Sequence, residues 1–82
     1  MSRELLIYSR PGCHLCEDVA LELEGLCRGQ AVRLRLVDVD TDPAWREKYG
    51  MRIPVVAAGG EELSGYPLDP EAIRAWLHRP FR

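Results

Sequence analysis

No apolar run in this sequence is long enough to cross a membrane or to form the core of a secretion signal. The chain begins Met1-Ser2-Arg3-Glu4 and enters one short apolar stretch, Leu5-Leu6-Ile7-Tyr8. That is far below the roughly 20 apolar residues of a spanning helix and below the apolar core of a leader. A cytoplasmic location with no membrane partner is therefore expected. An excess of one charge is missing too. Lys and Arg number 11, Asp and Glu 13, and the net charge is −2 with no block of like sign. This argues against a nucleic-acid partner or an acidic lipid surface. Cysteine is scarce: there are three, an odd count with one close pair, which is a poor disulfide framework. A second C-x-x-C and any H-x-x-x-H are absent, so a complete tetrahedral metal site within one chain is not expected. Repeats, linkers and low-complexity segments are absent as well. With 82 residues, the reading is one domain over 1–82, with a simple core and acting as a monomer.

Against those absences stands a clear alternation of elements. Glu4-Leu5-Leu6-Ile7-Tyr8 is nearly all apolar, as in a strand covered on both faces, and ends at the turn-forming Ser9-Arg10-Pro11-Gly12. Leu15, Val19, Leu23 and Leu26, with Ala20 and Cys27 beside them, recur at helical spacing, and Gly29 offers a stop. Val32, Leu34 and Leu36 alternate with Arg33 and Arg35, the period of a half-buried strand. Asp42-Pro43 and Asp69-Pro70 each read as a helix cap followed by proline at the first helical position. Trp45 and Tyr49 lie on the helix after the first, which Gly50 closes; Ile73, Trp76 and Leu77 lie on the helix after the second. Between them, Gly59-Gly60 suits a type I′ turn joining Val55-Val56-Ala57-Ala58 to Glu61-Glu62-Leu63. The expected fold is α/β, in the order β-α-β-α-β-β-α. Its sheet is mixed and four-stranded, its first two strands are parallel, and helices cover both faces.

Chemistry concentrates where the first strand meets the first helix. Cys13-His14-Leu15-Cys16 places Cys13 at a helix N-terminus, where free N–H groups and the macrodipole favour an anion. A thiolate there falls below the ordinary thiol pKa of about 8.5. Cys16 lies one turn on and can reach it, so an exposed nucleophile and a buried resolving thiol form the pair that disulfide exchange requires. His14 either places positive charge near the Cys13 sulfur or stands as a solvated loop residue. Arg10, permanently charged at the strand end, is the better electrostatic partner; the alternative is an ordinary surface arginine. Cys27 falls on the apolar stripe and is read as a small core residue. In Arg52-Ile53-Pro54-Val55, Pro54 cannot donate to a sheet and belongs at a strand's first position. A cis bond is expected there, leaving the Ile53 backbone free to pair with an extended substrate.

Together these residues resemble the glutaredoxins of the thioredoxin superfamily. Tyr8 to Cys16 is similar to that family's strand, basic residue and Gly-Cys-Pro-Tyr-Cys pattern. Arg52-Ile53-Pro54 resembles its Thr-Val-Pro, and Gly65-Tyr66-Pro67-Leu68-Asp69 its Gly-Gly-x-x-Asp. The resemblance implies a thioredoxin-like fold and a thiol–disulfide oxidoreductase. Cys13 attacks, Cys16 resolves, and Pro54 faces the disulfide. Ile53 pairs with the substrate, and Arg10, His14, Gly65 and Asp69 help to bind it. It implies no tightly bound cofactor, and glutathione as a co-substrate.

The sequence departs from the pattern at His14-Leu15, Arg52, and Tyr66-Pro67. Tyr66 adds bulk where glutathione would approach and Pro67 offers no N–H. The expected partners are therefore protein or low-molecular-weight disulfides ahead of glutathione, with glutathione or a thioredoxin-reductase-type enzyme as reductant. Two other functions are open at this level. One is a metal or iron–sulfur carrier using Cys13 in a dimer; the other is a binding module that has lost turnover.

Overall fold

A strand with two apolar faces needs cover on both sides, and the first strand sets the centre of this fold. The computed structural model describes residues 3–80, so both ends of the domain expected over 1–82 lie outside the described residues. β1 (Arg3–Ser9) is followed by α1 (His14–Cys27) and by β2 (Val32–Asp38). After a 3₁₀ turn over Val39–Thr41 come α2 (Pro43–Tyr49), β3 (Val55–Ala58), β4 (Glu61–Ser64) and α3 (Pro70–Leu77). The sheet order is β2-β1-β3-β4, with β1 parallel to β2 and antiparallel to β3. The expected element order and mixed sheet are both present; the 3₁₀ turn is an addition.

The pleat of β1 divides the core. Leu5 and Ile7 face α1 and α3 and pack with Val19, Leu23, Val56 and Ile73. Tyr8 faces α2, stacked on Tyr49 at 4.1 Å between ring centroids, with Val37, Val39 and Val55 around it. The buried stripe of α1 is Cys16, Val19, Leu23 and Cys27, with Ala20 and Leu26 partly buried against the same core; of the expected positions only Leu15 falls outside it. Leu15 and Cys16 differ by about 100° around the helix, so only one of them can face the sheet. Cys16 does, and Leu15 is left 43 % exposed.

Both Asp-Pro pairs cap as the sequence suggests. The Asp42 carboxylate accepts from the Ala44 N–H, and that of Asp69 from the N–H groups of Glu71 and Ala72. Gly59 and Gly60 have φ of 54° and 85°, as a type I′ turn demands at both central positions. Asp69→Ala is expected to lower the unfolding free energy by about 1 kcal/mol, the worth of an N-cap. The check is a lower urea midpoint at unchanged slope.

Candidate active site

The segment that presents the first cysteine is a turn built for the purpose. The Cys13 N–H donates to the Arg10 carbonyl, with Pro11 and Gly12 between them and Gly12 at φ 80°. That is a type II turn, which favours proline at its second position and needs left-handed backbone at its third. It delivers Cys13 to the N-cap of α1, where its Sγ accepts the Cys16 N–H at 3.2 Å. Cys13 and Cys16 are disulfide-bonded, with Cα atoms 5.3 Å apart, within the ordinary range for such bridges. Cys13 is half-buried and Cys16 is buried. In the reduced protein the same N–H groups favour a thiolate at Cys13.

Arg10 is at the strand end, as expected, but its charge is engaged elsewhere. Its Nε and Nη2 donate to the two Asp40 carboxylate oxygens at 2.7 and 3.1 Å, and its Nη1 donates to the Gly50 carbonyl. Arg46 donates to the same carboxylate. The Arg10 guanidinium, with Arg46 behind it, holds the Asp40 carboxyl below the usual carboxylate range. Gly50 is where the Arg10 guanidinium meets the backbone that closes α2. A Cβ there would collide with the Arg46 carbonyl and lie 3.3 Å from the Arg10 guanidinium. His14 is 93 % exposed in its side chain, its Nδ1 3.7 Å from a Glu17 oxygen. An ion pair so exposed contributes little.

Arg10, Cys13 and Cys16 share a cleft of about 530 Å³ with Ser9, Glu17, Ala20, Leu21, Leu36 and Asp38. His14, Ile53, Pro54, Gly65 and Asp69 do not line it. Pro54 is buried and its bond to Ile53 is cis, as expected; Tyr66–Pro67 is cis as well, which no sequence signal announced. Gly65 stands beside Pro54, since a Cβ on it would lie 3.7 Å from the Pro54 carbonyl oxygen. Arg52, where the resemblance has threonine, donates to the Glu62 carboxylate and to the Lys48 carbonyl. The Asp69 carboxylate caps α3, and its N–H donates to Ser64 Oγ. The sequence reading missed Asp40, Leu21 and Leu36. Asp40 is 30 residues from Arg10, and no local pattern reports a contact at that distance. Leu21 and Leu36 looked like ordinary members of a helix and an alternating strand.

A glutaredoxin-like domain model (DUF836) matches residues 4–78. The chain belongs to this glutaredoxin-like family. It is 33 % identical over 85 residues to an uncharacterized protein of Mycobacterium tuberculosis, covering 96 % of this chain and 88 % of the relative. The solution structure of a protein from Nitrosomonas europaea superposes with a TM-score of 0.84 at 33 % identity, over 93 % of this chain and 92 % of the other. A thioredoxin from Halobacterium salinarum gives a TM-score of 0.61 at 23 % identity, over 90 % of this chain and 70 % of the other. That likeness is one of fold: the domain is thioredoxin-like. A close cysteine pair on such a fold is consistent with redox chemistry. No helix among the described residues is long and apolar enough to cross a membrane.

Cys27 takes no part in this arrangement. It is buried in the core beside Leu23, and burial raises its thiol pKa. Cys27→Ala is expected to cost about 1 kcal/mol of stability, from a small cavity. The redox couple of the protein, titrated against a reference dithiol, should not move.

Proposed function

We propose that this protein is a thiol–disulfide oxidoreductase acting on protein or low-molecular-weight disulfides. The observation that carries the reading is the bonded Cys13–Cys16 pair at the N-cap of α1, with Cys13 half-buried and Cys16 buried. Reduced Cys13, as thiolate, attacks one sulfur of a substrate disulfide. A Cys13–substrate bond forms, the substrate's own S–S bond breaks, and the departing thiolate takes up a proton. The Cys16 thiol then loses its proton and attacks the Cys13 sulfur, which expels the second substrate thiolate. Two electrons have passed to the substrate, and the Cys13–Cys16 disulfide is the oxidised product. The N–H groups at the start of α1 stabilise the charge on Cys13 before attack and when it is the leaving group. The Ile53 backbone, ahead of the cis proline, serves to pair with the substrate chain.

Glutathione fits the segment before α3 poorly. Tyr66 is exposed there, Pro67 has no N–H to offer, and the Asp69 carboxylate is already bound to helix N–H groups. A protein disulfide needs none of these. The protein acts as a monomer without a tightly bound cofactor, and is regenerated by glutathione or by a thioredoxin-reductase-type enzyme. Reduction of insulin, followed with each reductant in turn, tests the function. Turnover with either supports it, turnover with the reductase alone supports the preference against glutathione, and turnover with neither refutes both.

A further inference from the structure

The cleft at the disulfide is lined by Leu36 and Asp38 of the outer strand and by neither Ile53 nor Pro54. β2 pairs only with β1 among the described residues, so its other edge has no partner strand, although at its ends the Val32 N–H donates to the Gln30 carbonyl and the Asp38 carbonyl accepts from Thr41 Oγ1. A free edge presents unpaired N–H and C=O groups and accepts an added strand. Its side chains alternate between faces. On the α1 face, Leu36 is 62 % exposed, and Leu21 of α1, 66 % exposed, lines the same cleft. On the opposite face, Arg33 and Arg35 are exposed, and neither side chain makes a hydrogen bond or ion pair with a described residue.

We propose that this edge and cleft receive an extended segment of the substrate protein, lying on the other side of its reacting cysteine from the residues that pair with Ile53, in which apolar residues alternate with acidic ones. The proposal rests on the redox function above and names the partner it serves. A strand laid along β2 puts every second side chain over the cleft, where Leu21 and Leu36 offer apolar cover. The intervening side chains come to the other face, beside Arg33 and Arg35, where opposite charges across strands attract and like charges repel. Cys13 and Cys16 line the same cleft, so a cysteine in that segment is brought to the disulfide. Glu17 and Asp38 also line the cleft, which keeps acidic residues of the partner off the cleft face and on the arginine face. A second copy of this chain does not suit the edge. Antiparallel pairing of two β2 strands with matched faces sets arginine against arginine.

The test uses two peptides, each with one cysteine activated as a mixed disulfide with a chromogenic aromatic thiol. One continues Leu-Glu-Leu-Glu-Val, the other Leu-Lys-Leu-Lys-Val. Pre-reduced protein is mixed with each in a single turnover at low salt, and with the symmetrical aromatic disulfide as reference. In each peptide reaction Cys13 attacks the peptide sulfur and the aromatic thiolate leaves; Cys16 then attacks Cys13 and releases the peptide thiol. The acidic peptide should react about tenfold faster than the basic one, the scale of electrostatic steering. The ratio should collapse as salt screens it and invert in Arg33→Glu/Arg35→Glu. Equal rates for both peptides in the native protein would overturn the proposal without touching the redox function. No reaction with the aromatic disulfide would refute the redox function itself. A complex of Cys16→Ser trapped on the acidic peptide gives an independent reading that needs no change to β2. Amide shifts over Val32–Asp38 support edge binding; shifts confined to residues 53–55 and 65–68 place the peptide elsewhere and overturn it.

Discussion

Replacing Cys13 with serine is expected to abolish disulfide exchange, and no other thiol in the chain can substitute for it. A serine hydroxyl is not deprotonated at a helix N-cap near neutral pH, so the nucleophile is lost and only its position remains. Cys16 is buried at 3 % exposure, and Cys27 lies in the core with its thiol pKa raised by burial. Neither offers an accessible thiolate. The complementary change, Cys16→Ser, keeps the first step and removes the second. It should accumulate a mixed disulfide between Cys13 and the substrate, seen as an intact-mass increase that dithiothreitol reverses. Alkylation of the reduced native protein near pH 6.5 should likewise modify Cys13 well before the other two. Equal labelling of all three cysteines, or retained turnover in Cys13→Ser, would remove Cys13 from its role.

Leu23→Ala is the substitution expected to damage the fold most. Leu23 is fully buried on the face of α1 that meets Leu5, Ile7, Val56 and Ile73. Truncation removes its apolar contacts and leaves a cavity whose walls belong to three different elements, so they close over it only in part. The expected loss is about 3 kcal/mol. For a domain this small the total stability is on the order of 4–12 kcal/mol, so a large share goes at once. The melting temperature should fall on the order of 15 °C. Leu21→Ala, two residues earlier but exposed, should change stability by less than about 0.5 kcal/mol. A similar loss in both variants would show that the assigned faces of α1 are wrong.

Much of this could be read before any coordinates, and what escaped has physical reasons. The Asp-Pro caps, the Gly59-Gly60 turn and the apolar strand are local: each is decided by neighbours in the chain, so local chemistry reports them. Cys13 at the N-cap and Pro54 at the head of β3 are legible for the same reason. The phase of α1 was harder. Leu15 and Cys16 both fit a helical stripe, and the approach of the sheet decides between them. Arg10 is legible at the end of β1, but whether its charge serves the cysteine is not: Asp40, brought back by the crossover to β2, takes it. Leu36 fitted the alternation of β2 without showing that cover gives out there. Those outcomes depend on where elements pass one another, which residue order does not record.

One contact joins the two ends of the fold. Arg3 donates to the carbonyls of Trp76 and Leu77 at 2.8 and 2.6 Å, and its guanidinium lies 4.4 Å from the centre of the Trp76 ring. The start of β1 and the end of α3 are therefore neighbours, and a short flexible tether from residue 80 to residue 3 would span them. The Gly59-Gly60 turn is exposed at the far side of the chain order, the kind of place where a break is tolerated. A circular permutant opened at that turn should fold to the same sheet. In it, β4 and α3 precede β1, and the pairing of Arg3 with Trp76 becomes a contact between near neighbours in sequence. The contact of Arg3 with Trp76, which now closes a loop of more than seventy residues, would close early. But the pairing of β3 with β4, local in the parent, would join the two ends of the new chain, and the permutant is expected to fold more slowly than the parent.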